Sequence, residues 1–433
     1  MEPKHLKQFY KITLQERVER LRDAEAVSAD DFNTLKNNLL KLPPLIADQM
    51  IENYIVNYEL PFGVAMNFRI NDQQTLIPMV TEEPSVIAAA SNAGKIVGKA
   101  GGFQTEMDER LMIGQIILKN VTDSKQASEN IHEHEDKIIE LAHAAYPSLL
   151  KYGGGVRRIE VRIIQADEVY ETPEFVALHL YVDTAEAMGA NIVNTMAEAV
   201  APYVVELTDG ATLMSVLSNY ATESLVTASC SIAPDLLATE ELEGTEVRDR
   251  IIEANQLALV DPYRAVTHNK GIMNGIDSVL VATGNDWRAV EASAHAYAAE
   301  SGQYRALTSW TKDEEGNLEG KIRLPLSVGA VGGTSSIHPT ARFAYRLLGE
   351  PNTKELSGIL AAVGLGQNFA AMRALVTDGI QKGHMNLHAR ALAIQVGADG
   401  DAVELVATRL QEAEHMNSET AYQILEEVMT ENS

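Results

Sequence analysis

Cysteine is almost absent from this sequence: Cys230 is the single one in 433 residues. One thiol cannot make an intramolecular disulfide or a cysteine-based metal cage. In TASCSIAP no histidine stands beside it to activate it, so it reads as a small buried side chain. Basic residues are scarce as well, 35 against 61 acidic ones, for a net charge of −26. A field of that sign repels nucleic acid and anionic membrane surfaces, and neither is expected as a partner. It repels anionic ligands too, so any such ligand needs local cations or helix N-termini. No apolar run is expected to be long enough to cross a bilayer. The N-terminal MEPKHLKQFYKITLQERVERL is charged and amphipathic, without a secretory pattern, so a soluble cytoplasmic protein is expected. The length exceeds what one compact core organises, and two or three domains are expected.

The stretch richest in chemistry is DPYRAVTHNKGIMNGIDSVLVATGNDW, Asp261 to Trp287. It sets Arg264, Lys270, Asp277 and Asp286 around the apolar run Ser278 to Ala282, whose Val279, Leu280 and Val281 predict a buried strand. Helical spacing resumes from Trp287 to Glu300, which puts Asp286 where a strand gives way to a helix. Lys270 falls in a polar turn, HNKG. A lysine and an aspartate meeting there would polarise a carbonyl, the carboxylate keeping the ammonium charged. Composition and spacing alone favour a plainer account, a surface salt bridge beside a sheet.

Elsewhere the spacing predicts a helix over 4–24 with Thr13 as a cap, and helix over 39–58 interrupted at Pro43-Pro44. Leu76 to Val80 predicts a strand, after which Pro84 opens a helix, with Glu83 near the N-cap and Ser85 in the first turn. GKAGGF lacks the Walker spacing and reads as a turn. From about Arg110 the pattern is strand, a long charged helix from Asp123 to Tyr146, then two alternating strands around Ile159 and Leu178. His132 and His134 read as a solvated helix face rather than a metal site. Met188-Gly189-Ala190-Asn191 opens a helix in a manner suited to a pyrophosphate, although GxGxxG is missing and a Rossmann domain is not supported. Gln367 and Asn368 interrupt an apolar helix and need partners. His384 and His388 have zincin spacing, but Met385 stands where the glutamate belongs, so no metal is expected.

DPYRAVTHNKGIMNGID followed by VATGNDWRAVEA resembles the 3-hydroxy-3-methylglutaryl-CoA (HMG-CoA) reductase family, in its soluble bacterial class II form. The resemblance implies an α+β fold. Residues 1–110 and 219–377 would form a large mixed α/β domain for substrate and CoA. Residues 111–218 would form an inserted ferredoxin-like dinucleotide domain, and 378–433 a C-terminal helical flap. It implies reduction of HMG-CoA to mevalonate and CoA by two hydride transfers. Glu83, Lys270, Asp286 and His384 would be catalytic. Ser85, Arg264, Asn274 and Asn368 would contact substrate, and ENYIVNYELPFG would line the CoA site through Glu52 and Asn53. Met188, Gly189, Ala190, Asn191 and Asn219 would serve the cofactor, with Glu186 where the family's motif has aspartate. Tyr146-Pro147 replaces the Asp-Pro of the NADH-using relative, and Arg157 and Arg158 lie near. NADPH is therefore the preferred cofactor, with NADH as the alternative. A homodimer with its site between subunits is implied, and dimers could assemble further. Two other classes stay open at this point: another CoA-thioester enzyme, such as a lyase or hydrolase, and a non-catalytic oligomeric binding protein.

Overall fold

The computed structural model describes residues 9–377 and 379–431, with the side chains of residues 10, 334–335 and 380–387 outside that description. Of the helix expected over 4–24, residues 4–8 lie outside the described residues, and from Phe9 on there is a 3-10 turn, Phe9–Lys11, followed by the helix Leu14–Asp23. Thr13 and Glu16 form a reciprocal capping box at its start. The next helix, Ala29–Lys36, is capped by Ser28. Its Asp31 receives Nε and Nη2 of Arg346 at 2.9 and 2.5 Å, which ties the N-terminal helices to the helix Pro339–Leu347. That guanidinium holds the Asp31 carboxyl below its usual value. The pair therefore stabilises the fold above the ordinary aspartate range and loses its contribution as pH falls through the lowered value. Asp31→Asn should destabilise the protein at pH 7 by about 2 kcal/mol, less than a fully buried pair because Arg346 reaches water. In thermal melts the gap to the parent should narrow once the pH falls below the ordinary aspartate value and close as it passes the lowered one.

The helix expected over 39–58 is limited to Pro44–Met50. Beyond it the chain runs without helix, with Ile55, Val56 and Tyr58 exposed. No apolar face is buried there to offset the cost of ordering a helix. The charged helix expected over 123–146 is two helices, Ser124–Glu133 and Glu135–Ala145, parted at His134. His132 is exposed, as a solvated face requires.

The strands are β1 (Phe62–Ile70), β2 (Gln73–Val80), β3 (Gln104–Met107), β4 (Met112–Lys119), β5 (Gly155–Ile164), β6 (Phe175–Asp183), β7 (Ala211–Ser218), β8 (Leu225–Ile232), β9 (Thr308–Lys312) and β10 (Leu318–Pro325). β1 and β2 form an antiparallel hairpin, and β3-β8-β10-β9 a four-stranded antiparallel sheet. The order β5-β6-β4-β7, with helices between β4 and β5 and between β6 and β7, is the βαββαβ arrangement of a ferredoxin-like unit. Val176, Leu178, Leu180 and Val182 of β6 are fully buried against that unit's helices, with Val193, Met196 and Val200 opposite them. A separate apolar cluster joins the last three helices, Ile380–Gln395, Ala402–Glu412 and Ser418–Glu431.

The largest core is organised by two long helices, Pro262–Thr283 and Thr353–Val376. The first corrects two expectations. Residues 278–282 are its last turns rather than a strand, and Lys270 sits in its middle rather than in a turn. Asp261 caps it, Pro262 occupies its first turn, and Gly284 ends it at φ +68°. Ile272, Met273, Ile276, Val279 and Leu280 bury a helical face; a short β-branched run looks the same in either state, and packing decided it. The second helix also revises an expectation, since by length and composition it could cross a membrane. Its apolar residues are instead buried against β3, β8, β10 and the Lys270 helix.

Candidate active site

Glu83 lies just past β2, its backbone N–H donating to Thr81 Oγ1 at 3.2 Å. The helix that follows starts at Val86 rather than at Pro84, with Ser85 as its N-cap at φ +74°. Ser85 Oγ is buried and, among the described residues, has no hydrogen-bond partner. Lys270 Nζ donates to Glu83 Oε2 at 2.7 Å, joining residues 187 positions apart. Asn274, one turn further along the lysine's helix, donates Nδ2 to Glu83 Oε1 at 3.3 Å. The lysine side chain is 60% exposed and the glutamate 37%, so within one chain this pair faces water. A charge there is screened until something covers it.

Arg264, in the first turn of the same helix, is half-buried with Nη2 against Met372 Sδ at 3.5 Å. Burial lowers its pKa, and among the described residues no carboxylate pairs with its guanidinium. It is a cation held ready for an anion.

Asp286 does not join this group within the chain. It caps the helix Trp287–Ala298, accepting from Ala289 N–H at 3.1 Å, with Arg288 Nη2 at 3.6 Å. The rise from Lys270 to the end of its helix at Thr283 is about 20 Å. Within one chain Lys270 thus pairs with Glu83 while Asp286 has Arg288 beside it. Asn368 is redirected too. It is buried, its Oδ1 accepting from Trp310 Nε1 at 2.8 Å and Thr308 Oγ1 at 3.2 Å, while Nδ2 meets His268 Nε2 at 3.0 Å. The core occupies both ends of its amide. Burial and the neighbouring Arg264 push His268 down to about 3, so it stays neutral in this cluster. Glu52 and Asn53 are exposed, Asn53 at φ +55°. His384 lies on the helix Ile380–Gln395, and its side chain is outside the described residues.

Where the ferredoxin-like unit meets the large core there is a cleft of about 1000 Å³. Gly189, at φ +97°, caps the helix Ala190–Thr208, and a Cβ there would collide with Thr184. Ala187 and Ile192 line the cleft on either side of the turn Met188–Asn191. Tyr146 lines it too, with three cations, Arg110, Arg157 and Lys354, beside the carboxylates of Glu109, Asp183 and Glu186. Arg157 pairs with Asp183 at 2.8 Å. Arg158 does not reach the cleft; it stacks on Tyr181, 3.4 Å from the ring centroid, and pairs with Glu223 at 3.0 Å. Asn219, after β7, is exposed. Glu186 accepts from Thr353 N–H and Oγ1 at 2.8 and 2.7 Å, fastening the loop before the Gly189 turn to the Thr353 helix.

Arg110 was invisible in the sequence as a site residue. Buried at the floor of this cleft, it donates to Thr184 Oγ1 and to the carbonyls of Ala185, Ala187 and Val328 at 2.6–3.1 Å. Burial brings its pKa down to about 10, so it remains charged and pins the loop. Only its place two residues before the buried strand β4 could have drawn attention to it.

A sequence model described as hydroxymethylglutaryl-coenzyme A reductase matches residues 13–389. The chain belongs to this family. The 3-hydroxy-3-methylglutaryl-coenzyme A reductase of Archaeoglobus fulgidus is 43% identical over 418 residues, covering 96% of this chain and 93% of that one. A probable reductase of the same kind from Borreliella burgdorferi is 35% identical, covering 88% and 87%. A solved structure of the Streptococcus pneumoniae reductase superposes with a TM-score of 0.84 at 45% identity, covering 98% of this chain and 99% of that one. A second, of the class II enzyme from that organism bound to NADPH in open conformations, has a TM-score of 0.82 at 45% identity, covering 96% and 100%. As a member of the HMG-CoA reductase family the protein is an oxidoreductase that converts HMG-CoA to mevalonate and CoA, with NAD(P)H supplying hydride.

Proposed function

We propose that the chemistry takes place at Glu83 and Lys270 of one subunit with Asp286 supplied by a second. The observation that carries this reading is the 2.7 Å Lys270–Glu83 contact, which brings a cation and an acid to one point beside an unpartnered Ser85 hydroxyl. Each hydride addition turns a carbonyl into an alkoxide, and Lys270 stabilises that charge. After the first addition the C–S bond breaks, and His384 protonates the departing CoA thiolate. After the second, Glu83 gives its proton to the mevalonate oxygen. Asn274 orients Glu83, and Ser85 and Arg264 take the substrate carboxylate, the latter with a half-buried guanidinium that lacks a carboxylate partner. Asn368 has no place in this proposal because the core occupies its amide. Glu52 and Asn53 stay as contacts on the CoA side.

Within one chain Asp286 lies beyond the far end of the Lys270 helix, past about 20 Å of helical rise, and a second copy would bring its own Asp286 to the site. The same copy would cover the exposed pair and strengthen its field. The functional unit is thus a homodimer, with higher assemblies of dimers compatible with it, working in the cytoplasm. No resident metal enters the scheme.

The dinucleotide fits the cleft at the Gly189 turn. The helix N-terminus would face the pyrophosphate, Met188 to Asn191 shape the turn, Asn219 is kept as a cofactor contact, and Arg157 and Lys354 offer charge. Its role is to deliver hydride. Tyr146 in place of an acidic residue leaves the 2′-phosphate unrepelled, so NADPH is preferred over NADH. The expected result is two NADPH consumed per CoA released, which a hydrolase or lyase would not show. Arg157→Ala should raise KM for NADPH about tenfold, the worth of one charge-assisted contact, and leave KM for NADH nearly unchanged. Equal changes for both cofactors would assign Arg157 elsewhere.

A further inference from the structure

Asp277, one turn beyond Asn274, has no part in the reaction above. Its carboxyl meets Glu291 of the helix Trp287–Ala298. Glu291 Oε2 lies 2.5 Å from His295 Nε2, and His295 Nδ1 lies 2.6 Å from the Tyr304 hydroxyl. Carboxyl, carboxylate, imidazole and phenol therefore run in an unbroken line from the Lys270 helix through its successor to the loop behind it. Asp277 Oδ1 is buried and, among the described residues, has no hydrogen-bond partner.

Two touching carboxyls cannot both ionise without strong repulsion. Burial first, and Glu291 second, push Asp277 up to about 9, while His295 holds Glu291 below its usual value. At neutral pH a proton therefore bridges the two helices. Glu291 is the charge acting on Asp277, His295 and Asp277 are those acting on Glu291, and Tyr304 feels Glu291 in turn. The other elements packed on the Lys270 helix are β2 and the helices Val86–Lys99, Gly244–Val260, Pro339–Leu347 and Thr353–Val376. Among the described residues they add no charge to this group.

The helix that Glu291 anchors begins at Asp286, and only Gly284 and Asn285 separate Asp286 from the end of the Lys270 helix. Asn285 is fixed, bonded to Thr283, Tyr345 and Gly329. The chain entering the second helix is thus pinned, and the direction the helix takes depends on what holds its middle. We propose that the proton shared by Asp277 and Glu291 is a clasp that fixes the second helix and so sets where Asp286 is presented. Asp277 and Glu291 are then positioning residues for the reaction. This rests on the role given to Asp286 above.

The test compares the parent with Asp277→Asn, whose amide still donates to Glu291 but cannot ionise. In the parent, kcat/KM should fall about tenfold by one pH unit above the clasp's titration. In D277N that alkaline limb should move upward, leaving about a tenfold advantage at the same pH, with circular dichroism unchanged in both. Trp287, beside Asp286 and 41% exposed, gives a second readout, because the other tryptophan, Trp310, is 1% exposed and shielded from quencher. Acrylamide quenching should rise through the same alkaline midpoint in the parent and stay level in D277N. An unchanged limb in D277N overturns the positioning role. An unchanged quenching profile overturns the clasp itself. Absence of ester-dependent NADPH oxidation at every pH would instead sink the reading of the reaction, and the quenching series would still decide the clasp.

Discussion

Lys270→Ala is expected to lower kcat by at least about a thousandfold while the fold stays intact. Losing one preorganised donor to a developing oxyanion typically costs about 10²–10³ in rate, and Lys270 carries a full charge where such a donor carries a partial one. The substitution also removes the donor that holds Glu83 Oε2 at 2.7 Å, so the acid loses its orientation as well. KM for the CoA ester should change little, because the lysine acts on charge that appears only after hydride has moved. Stability should be nearly unaffected, since the side chain is 60% exposed and its one ion pair is open to water. NADPH oxidation kinetics and a thermal melt check both parts. A variant that kept the parent's kcat would remove Lys270 from the mechanism.

The second large effect concerns two inactive variants that rescue each other. Lys270→Ala and Asp286→Asn subunits, each dead alone, should recover about a quarter of parental activity when co-expressed or refolded together. Random pairing makes about half the dimers mixed, and each mixed dimer rebuilds one of its two sites from an intact lysine and an intact aspartate. The physical ground is the roughly 20 Å that the helix Pro262–Thr283 puts between the two residues of one chain. If the aspartate worked within its own subunit, mixing would restore nothing.

How much of this was legible beforehand depends on what each signal measures. The Thr13–Glu16 capping box and the Gly189 turn came through because they are local, needing only a few consecutive residues to be satisfied. The strand and helix alternation of the ferredoxin-like unit was readable too from its apolar spacing, although β6 is buried on both faces rather than the one that the alternation suggested. The run Ser278–Ala282 misled because a stretch of valine and leucine carries no period of its own, and a helix buried on most sides erases the amphipathic mark. Asn368 failed for a related reason. Its partners Trp310 and His268 are 58 and 100 positions away, so the amide's satisfaction could not be counted from sequence. The distance between Lys270 and Asp286 was hidden by the same mistaken strand, which would have folded the stretch back on itself. Arg110 and the Asp277–Glu291–His295 line carry no motif, and they become visible only when depth is known.

The buried helix Thr353–Val376 has a consequence for how the polypeptide is made. It packs against β3, β8, β10 and the helices at Val86 and Pro262, all of which leave the ribosome before it does. Until it arrives, the main core lacks its central member, and a nascent chain stopped short of residue 353 would expose the apolar surfaces meant to enclose it. The last fifth of the sequence thus decides whether everything synthesised earlier becomes a compact body or a sticky one.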